Sequence, residues 1–343
     1  MHCLRLRKPD GRELNLYSRR PIAPVREAPS PFPAPLNARP HLRWHPLRGE
    51  WVTYAAYRQG RTFQPPPRYN PLAPTTDPAS PTELPPGDWE VAVFDNRFPA
   101  LMPPEGKCEV VVFSQDPHTP LGELSLGHIE LVLEVWGERT AELGSLEHVQ
   151  YVLPFENRGA EVGGTLPHPH GQLYAYPVVP PMPARMLETA REGDGLLRRM
   201  IEEEMSQGER VLYAGPHAIA FIPVCARYPY EVWVAPIEPV PDFTRLRDAQ
   251  RRDLARALKT VLLKYDGLWQ RPFPYCMVWY QAPTDGRPHP EAHLHAQFYP
   301  PYRTPDRLKY LAGAELGGGM FTMDALPEEK ARELQKVEVL LEA

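Results

Sequence analysis

Residues 165–177 read Thr165-Leu-Pro-His168-Pro-His170-Gly-Gln172-Leu-Tyr-Ala-Tyr-Pro177. Leu173, Tyr174 and Tyr176 favour an extended chain, in which successive side chains alternate between faces. His168, His170 and Gln172 are therefore expected to form a polar row on one face of a strand. Two imidazoles and an amide beside Gly171, which permits close backbone approach, suit a phosphate better than a solvated sheet face. Pro169 fixes the backbone between the histidines, and Phe155-Glu156-Asn157-Arg158-Gly159 stands just upstream.

Working outward, the histidine strand closes a pattern that occurs twice. The first pass predicts strands over 89–94 and 108–113, then a helix. In that helix Leu126, Ile129, Val132, Leu133, Trp136, Thr140 and Leu143 recur at helical spacing, with Ser125 or Gly127 at the start. Strands over 149–155 and 172–176 follow. The second pass predicts strands over 218–222 and 231–235, and a helix over about 248–266 with an apolar stripe of Leu254, Leu258, Val261, Leu262 and Tyr265. It ends in strands over 275–279 and 293–299. Val112 precedes His168 by 56 residues and Val234 precedes His293 by 59, and both intervals end in His-x-His-x-Gln. The repeated order and the repeated triplet indicate duplication. The expected fold class is α+β, two tandem units whose antiparallel sheets carry packed helices.

The chain has 343 residues, 45 of them proline, and a formal net charge of −5. That length exceeds what one core usually fills. Three segments are expected: a Pro-rich N-terminal arm over 1–40, a first unit over 41–185 and a second over 186–343. The negative balance and the lack of a Lys/Arg block argue against nucleic-acid binding. Cys3, Cys108, Cys225 and Cys276 are scattered without a Cys-x-x-Cys pair, so neither a disulfide framework nor a zinc ribbon is encoded. A reducing cytoplasm is the expected location. No apolar run suggests a signal core or a membrane span.

The chain resembles the galactose-1-phosphate uridylyltransferases, the two-repeat branch of the histidine-triad superfamily. The resemblance runs from about His41 to Glu315. It rests on Arg43-Trp-His-Pro-Leu-Arg-Gly-Glu-Trp51, Phe94-Asp-Asn-Arg-Phe-Pro-Ala-Leu101, the 155–159 run and His168–Gln172. Phe273-Pro-Tyr, His293-Leu-His-Ala-Gln-Phe-Tyr-Pro-Pro301, Lys309-Tyr310 and Gly313-Ala-Glu315 complete it. It implies exchange of UMP between UDP-glucose and galactose 1-phosphate by a ping-pong route, in a homodimer without a cofactor.

The residues permit that chemistry. A neutral imidazole is nucleophilic at pH 7, and a phosphoramidate stays labile enough for a second displacement. His170 matches the family residue that becomes uridylylated, and Gln172 the glutamine whose amide donates to phosphoryl oxygens. Arg58 and Arg61 match arginines near the nucleotide phosphates. Asn96 matches a residue of the uridine pocket, and Asn157 one that contacts phosphate. Lys309 and Glu315 match the residues that hold the sugar phosphate and a hexose hydroxyl. Arg97 stands where the enterobacterial motif carries Asp, which opens the alternative of an ADP-sugar or dinucleoside-polyphosphate phosphorylase. A noncatalytic nucleotide sensor is the alternative from another class.

No metal site is expected. Asn70-Pro-Leu-Ala73 stands where zinc-binding relatives carry Cys-x-x-Cys, although His118 and His168 persist, and two histidines alone do not close a zinc site. His168 is then expected to be a packed or hydrogen-bonded histidine that orients the strand. In the second repeat the matched ligands read His295, Gln297, Tyr280 and Met186, with Glu188 and His293 as nearby substitutes.

Overall fold

The computed structural model describes residues 1–37, 39–60, 65, 69–193 and 195–341. Arg61 lies outside them. In chain order come β1 (His2–Arg7), β2 (Glu13–Ser18), the hairpin β3 (His41–His45) and β4 (Glu50–Tyr54), β5 (Val91–Asp95) and β6 (Lys107–Val112). Helix α1 (Leu126–Gly144) leads to β7 (Tyr151–Arg158), β8 (His170–Tyr176), α2 (Pro181–Glu192) and α3 (Leu196–Gln207). The second repeat holds β9 (Val211–Ala214), β10 (Ala218–Phe221), β11 (Trp233–Pro236), α4 (Asp248–Leu268), β12 (Tyr275–Tyr280) and β13 (His295–Tyr299). A small hairpin, β14 (Tyr302–Thr304) with β15 (Arg307–Leu308), and α5 (Pro327–Gln335) end the chain.

Both repeats are present, but they share one sheet rather than building two. Eleven strands run in the order β1-β2-β5-β6-β8-β7-β12-β13-β11-β10-β9. The first repeat contributes 5-6-8-7 and the second mirrors it as 12-13-11-10, so the sheet reads nearly the same from either end. The halves meet where β7 pairs antiparallel with β12, Phe155 opposite Val278 and Arg158 opposite Tyr275. Helices α1 and α4 cover one face. Their apolar stripes meet the sheet around Trp136, Phe243 and Trp279, whose rings lie 4.9–6.0 Å apart. The expected Ser125 cap starts α1, its hydroxyl accepting from the His128 N–H at 3.3 Å.

The N-terminal arm expected over 1–40 is a correction, because β1 and β2 are strands of the main sheet. Leu14 pairs opposite Phe94 and Leu16 opposite Ala92. Leu14 and Leu16 are buried with Trp89, Phe94 and Val112, Leu4 and Leu6 pack against them, and Gly11, at φ +85°, turns the hairpin. Buried charges anchor that turn. Arg12 meets the Asp10 carboxylate at 2.7 Å and Glu83 at 2.8 Å, and the Lys8 ammonium lies 2.6 Å from Glu83. Apolar alternation and turn chemistry prevail here, since the prolines gather only beyond the second strand.

Candidate active site

Strand β8 alternates as expected from Leu173 onward. His170, Gln172, Tyr174 and Tyr176 are half-buried on one face, while Gly171, Leu173 and Ala175 are buried on the other. The expected row of three is not formed, because the strand begins at His170 and His168 lies before it. Gly171 also serves another purpose than the one expected. A Cβ there would stand 2.9 Å from the Phe113 ring and 3.1 Å from the Phe155 carbonyl oxygen, so the close approach is to the core.

The β8 face opens into a cavity of about 260 Å³, with Arg58, Asn96, Asn157, His170 and Gln172 in its wall. Five of the eight residues expected to act on substrate are thus brought together from four separate stretches of chain. Arg58 is steadied by its Nη1–H donating to the Tyr174 hydroxyl at 3.1 Å. Asn157 ends up there through β7, one residue beyond Glu156, which pairs with Gly171. Phe32, Tyr69 and Thr165 also line the cavity. Thr165 lies within the stretch that opened the reading, whereas Phe32 and Tyr69 sit among prolines that masked them.

The geometry settles which nitrogen of His170 is free. Nδ1 lies 2.8 Å from the His168 carbonyl oxygen. A carbonyl only accepts, so Nδ1 carries the proton and Nε2 keeps its lone pair. Nε2 has no hydrogen-bond partner among the described residues. Burial holds the His170 pKa below the ordinary histidine value, opposed by the hydrogen bond to His168, so the ring is neutral at pH 7. Beside it, the Asn96 side-chain N–H donates to the Gln172 oxygen at 3.5 Å. The Gln172 NH₂ is thereby left as the donor end.

His168 is buried and fully engaged. Its Nε2–H donates to the Ser114 carbonyl at 2.8 Å, and its Nδ1 accepts from the Asn70 amide at 2.9 Å. Burial pushes its pKa down to about 4. Asn70 thus occupies one ring nitrogen of the histidine and the Ser114 carbonyl the other. With both ring nitrogens committed and His118 exposed, these residues do not fit zinc.

The second repeat keeps the same lock in a closed form. His295 Nδ1–H donates to the His293 carbonyl at 2.8 Å, as His170 does to His168. Its Nε2, however, accepts from Gln297 at 3.1 Å. The Gln297 oxygen in turn accepts from the Tyr299 hydroxyl at 2.6 Å, and Tyr280 and Tyr299 touch hydroxyl to hydroxyl at 2.8 Å. Burial pushes the His295 pKa down to about 4. This chain of hydrogen bonds occupies the His295 lone pair, so the set does not fit a metal either. Among the described residues no three His, Cys, Asp or Glu side chains gather as a metal cluster.

Lys309 and Glu315 lie apart from His170. They line two other cavities, Lys309 beside Tyr299 and Glu315 beside His295, and they stand 3.8 Å from each other. Backbone N–H groups of Thr322 and Ala312 hold the Glu315 carboxylate below its usual range.

A sheet built of two like repeats, with an imidazole and an amide in one cavity, defines a class of fold and site. The comparisons narrow that class. Residues 95–180 match the N-terminal domain of the galactose-1-phosphate uridyl transferase family and residues 186–341 its C-terminal domain. The chain is 36% identical over 326 residues to the galactose-1-phosphate uridylyltransferase of Thermotoga maritima, covering 87% of this chain and 98% of that protein. A solved uridylyltransferase superposes with a TM-score of 0.77 at 33% identity, over 86% of this chain and 98% of the other. The ADP-glucose phosphorylase of Arabidopsis thaliana shares the fold, with a TM-score of 0.67 at 24% identity over 88% of this chain and 100% of its own. The chain belongs to the galactose-1-phosphate uridylyltransferase family. Among the described residues no helix is long and apolar enough to cross a membrane.

Proposed function

We propose that this chain exchanges UMP between UDP-glucose and galactose 1-phosphate through a covalent uridylyl-His170 intermediate. The observation that carries the reading is the His170 tautomer, with Nδ1–H donating to the His168 carbonyl and Nε2 without a partner among the described residues, in one cavity with Gln172. In the first half-reaction Nε2 attacks the α-phosphorus of UDP-glucose. The P–Nε2 bond forms, the bond to the bridging oxygen breaks, and glucose 1-phosphate leaves with the electron pair. In the second, a phosphate oxygen of galactose 1-phosphate attacks the same phosphorus, UDP-galactose forms, and the electron pair returns to Nε2. The His168 carbonyl favours the positive ring of the intermediate, and Gln172 with Arg58 counters charge on the phosphoryl oxygens. Arg61 is assigned to the phosphates by resemblance alone.

The same reading places no metal in the mechanism and gives the sugar phosphate to Lys309 and Glu315. Exposed Tyr310, Leu311, Leu316 and Met320 flank that pair, and the homodimer expected from the family is the assembly that would cover them. A cytoplasmic location belongs to the reading as well.

Intact mass after incubation with UDP-glucose alone tests the proposal. A uridylyl adduct on His170, absent from His170→Ala, is expected. An adduct on His168 or His295, or none under single-turnover conditions, overturns it.

A further inference from the structure

The donor cavity runs across the sheet. Gln172 on β8 lies opposite Val110 on β6, which lies opposite Phe94 on β5. Two strand spacings separate the first from the last, about 10 Å. With the phosphoryl group at His170, the far end of the cavity falls where a nucleobase would lie. Phe32 and Arg97 stand in its wall beyond β5.

Arg97 is held in place by the N-terminal segment. Its guanidinium sits 4.3 Å from the centre of the Phe32 ring, Nη1 donates to the Ala34 carbonyl at 3.1 Å, and Asp10 Oδ2 lies 3.9 Å away. Phe32 is fixed in turn, its backbone N–H donating to the Ser30 hydroxyl at 3.1 Å. That hydroxyl donates to Asp10 at 3.1 Å and accepts from Arg12 at 3.3 Å. Nε and Nη2 of Arg97 make no hydrogen bond to protein among the described residues, and the side chain keeps 16% of its exposure. A guanidinium has donors and no acceptor. Uracil offers it two ring carbonyl oxygens with no amine beside them, whereas adenine sets its exocyclic amine, a donor, beside the ring acceptors N1 and N7, where it opposes the second arm of the fork.

We propose that Arg97, positioned by Phe32 and the N-terminal hairpin, is the base-specificity residue of the donor cavity and selects uracil over adenine by donating to its carbonyl oxygens. The inference rests on the nucleotide reading of this cavity but not on the transfer step. A new attraction to uracil and a donor–donor conflict with adenine act in the same direction.

Calorimetric titration of the whole protein with UMP and with AMP tests it without chemistry. UMP is expected to bind roughly 10-fold more tightly than AMP, the low end of what a well-placed base contact discriminates. Arg97→Ala should bring the two affinities within about 3-fold, mainly by weakening UMP. Arg97→Lys keeps the charge and loses the planar fork, so it should recover only part of the preference. Phe32→Leu leaves Arg97 present but unsupported and should also reduce the ratio. It keeps the test open if the alanine variant does not fold. Equal binding of UMP and AMP by the parent protein, or an unchanged ratio in all three variants, overturns the inference. An adduct on His170 with no base preference sinks only this inference, and selective UMP binding with no adduct sinks only the transfer reading.

Discussion

At the scale of the residue, Gln172 and Gln297 occupy corresponding positions and face opposite tasks. Gln297 turns its NH₂ onto the neighbouring histidine and closes that nitrogen. Gln172 instead has its oxygen taken by Asn96, which leaves the NH₂ for a ligand. If that group stabilises charge on the phosphoryl oxygens, Gln172→Ala should slow formation and decay of the adduct by about 10²–10³, the cost of one lost oxyanion donor. UDP-glucose affinity should change little, because the loss falls on the transition state. Unchanged adduct kinetics with a lowered melting temperature would instead make Gln172 a packing residue. That His170, Gln172, Asn96 and Asn157 line one cavity accords with the short motifs that single them out in the sequence. The tautomer was not legible there, since it depends on a carbonyl two residues back whose direction no residue name specifies. Gly171 was misread for a related reason: a glycine marks close approach without saying to what.

Among the elements, the hairpin of β1 and β2 departs most from expectation. Its turn carries Lys8, Asp10 and Arg12 into a buried cluster with Glu83, and removing one member strands the others. Arg12→Ala leaves the Asp10 carboxylate without its 2.7 Å partner and takes the double contact from Glu83. A cost of about 3–5 kcal/mol is expected, read as a lowered urea midpoint with unchanged slope. An exposed pair such as Arg198–Glu202 should cost under about 1 kcal/mol when broken. A loss that small at Arg12 would show the cluster to be incidental. The ten strands and helices of the two passes were legible from periodicity, with ends moved by a few residues. The hairpin was hidden by the prolines that follow it, and the partner that buries its charges, Glu83, is distant in sequence.

For the whole molecule, buried titratable groups pull stability in opposite directions. Burial pushes His168 and His295 from 6.5 down to about 4. Between those values the unfolded chain binds more protons, so their contribution is complete above pH 6.5 and is lost as pH falls toward 4. Glu156 is the reverse case. Buried on the helix side and accepting from the Tyr275 hydroxyl at 2.9 Å, it is pushed up from 4.5 to about 7, chiefly by burial. The folded chain binds its proton more tightly, so its contribution is present below pH 4.5 and lost as pH rises through 7. Glu156→Gln mimics the protonated carboxyl. Its melting-temperature advantage over the parent should grow steadily from pH 5 to about pH 7 and level off above it. An equal difference at both ends of that range would mean the carboxyl does not titrate there.

The seam between β7 and β12 has a historical consequence. A single ancestral unit would have ended at an open strand edge, and such an edge seeks another copy of itself. The near-palindromic strand order is what two such copies leave behind once joined in one chain. Fusion removed the need for the copies to remain alike. His170 has an Nε2 without a partner among the described residues, while its counterpart His295 gives the same lone pair to Gln297 and the scaffold.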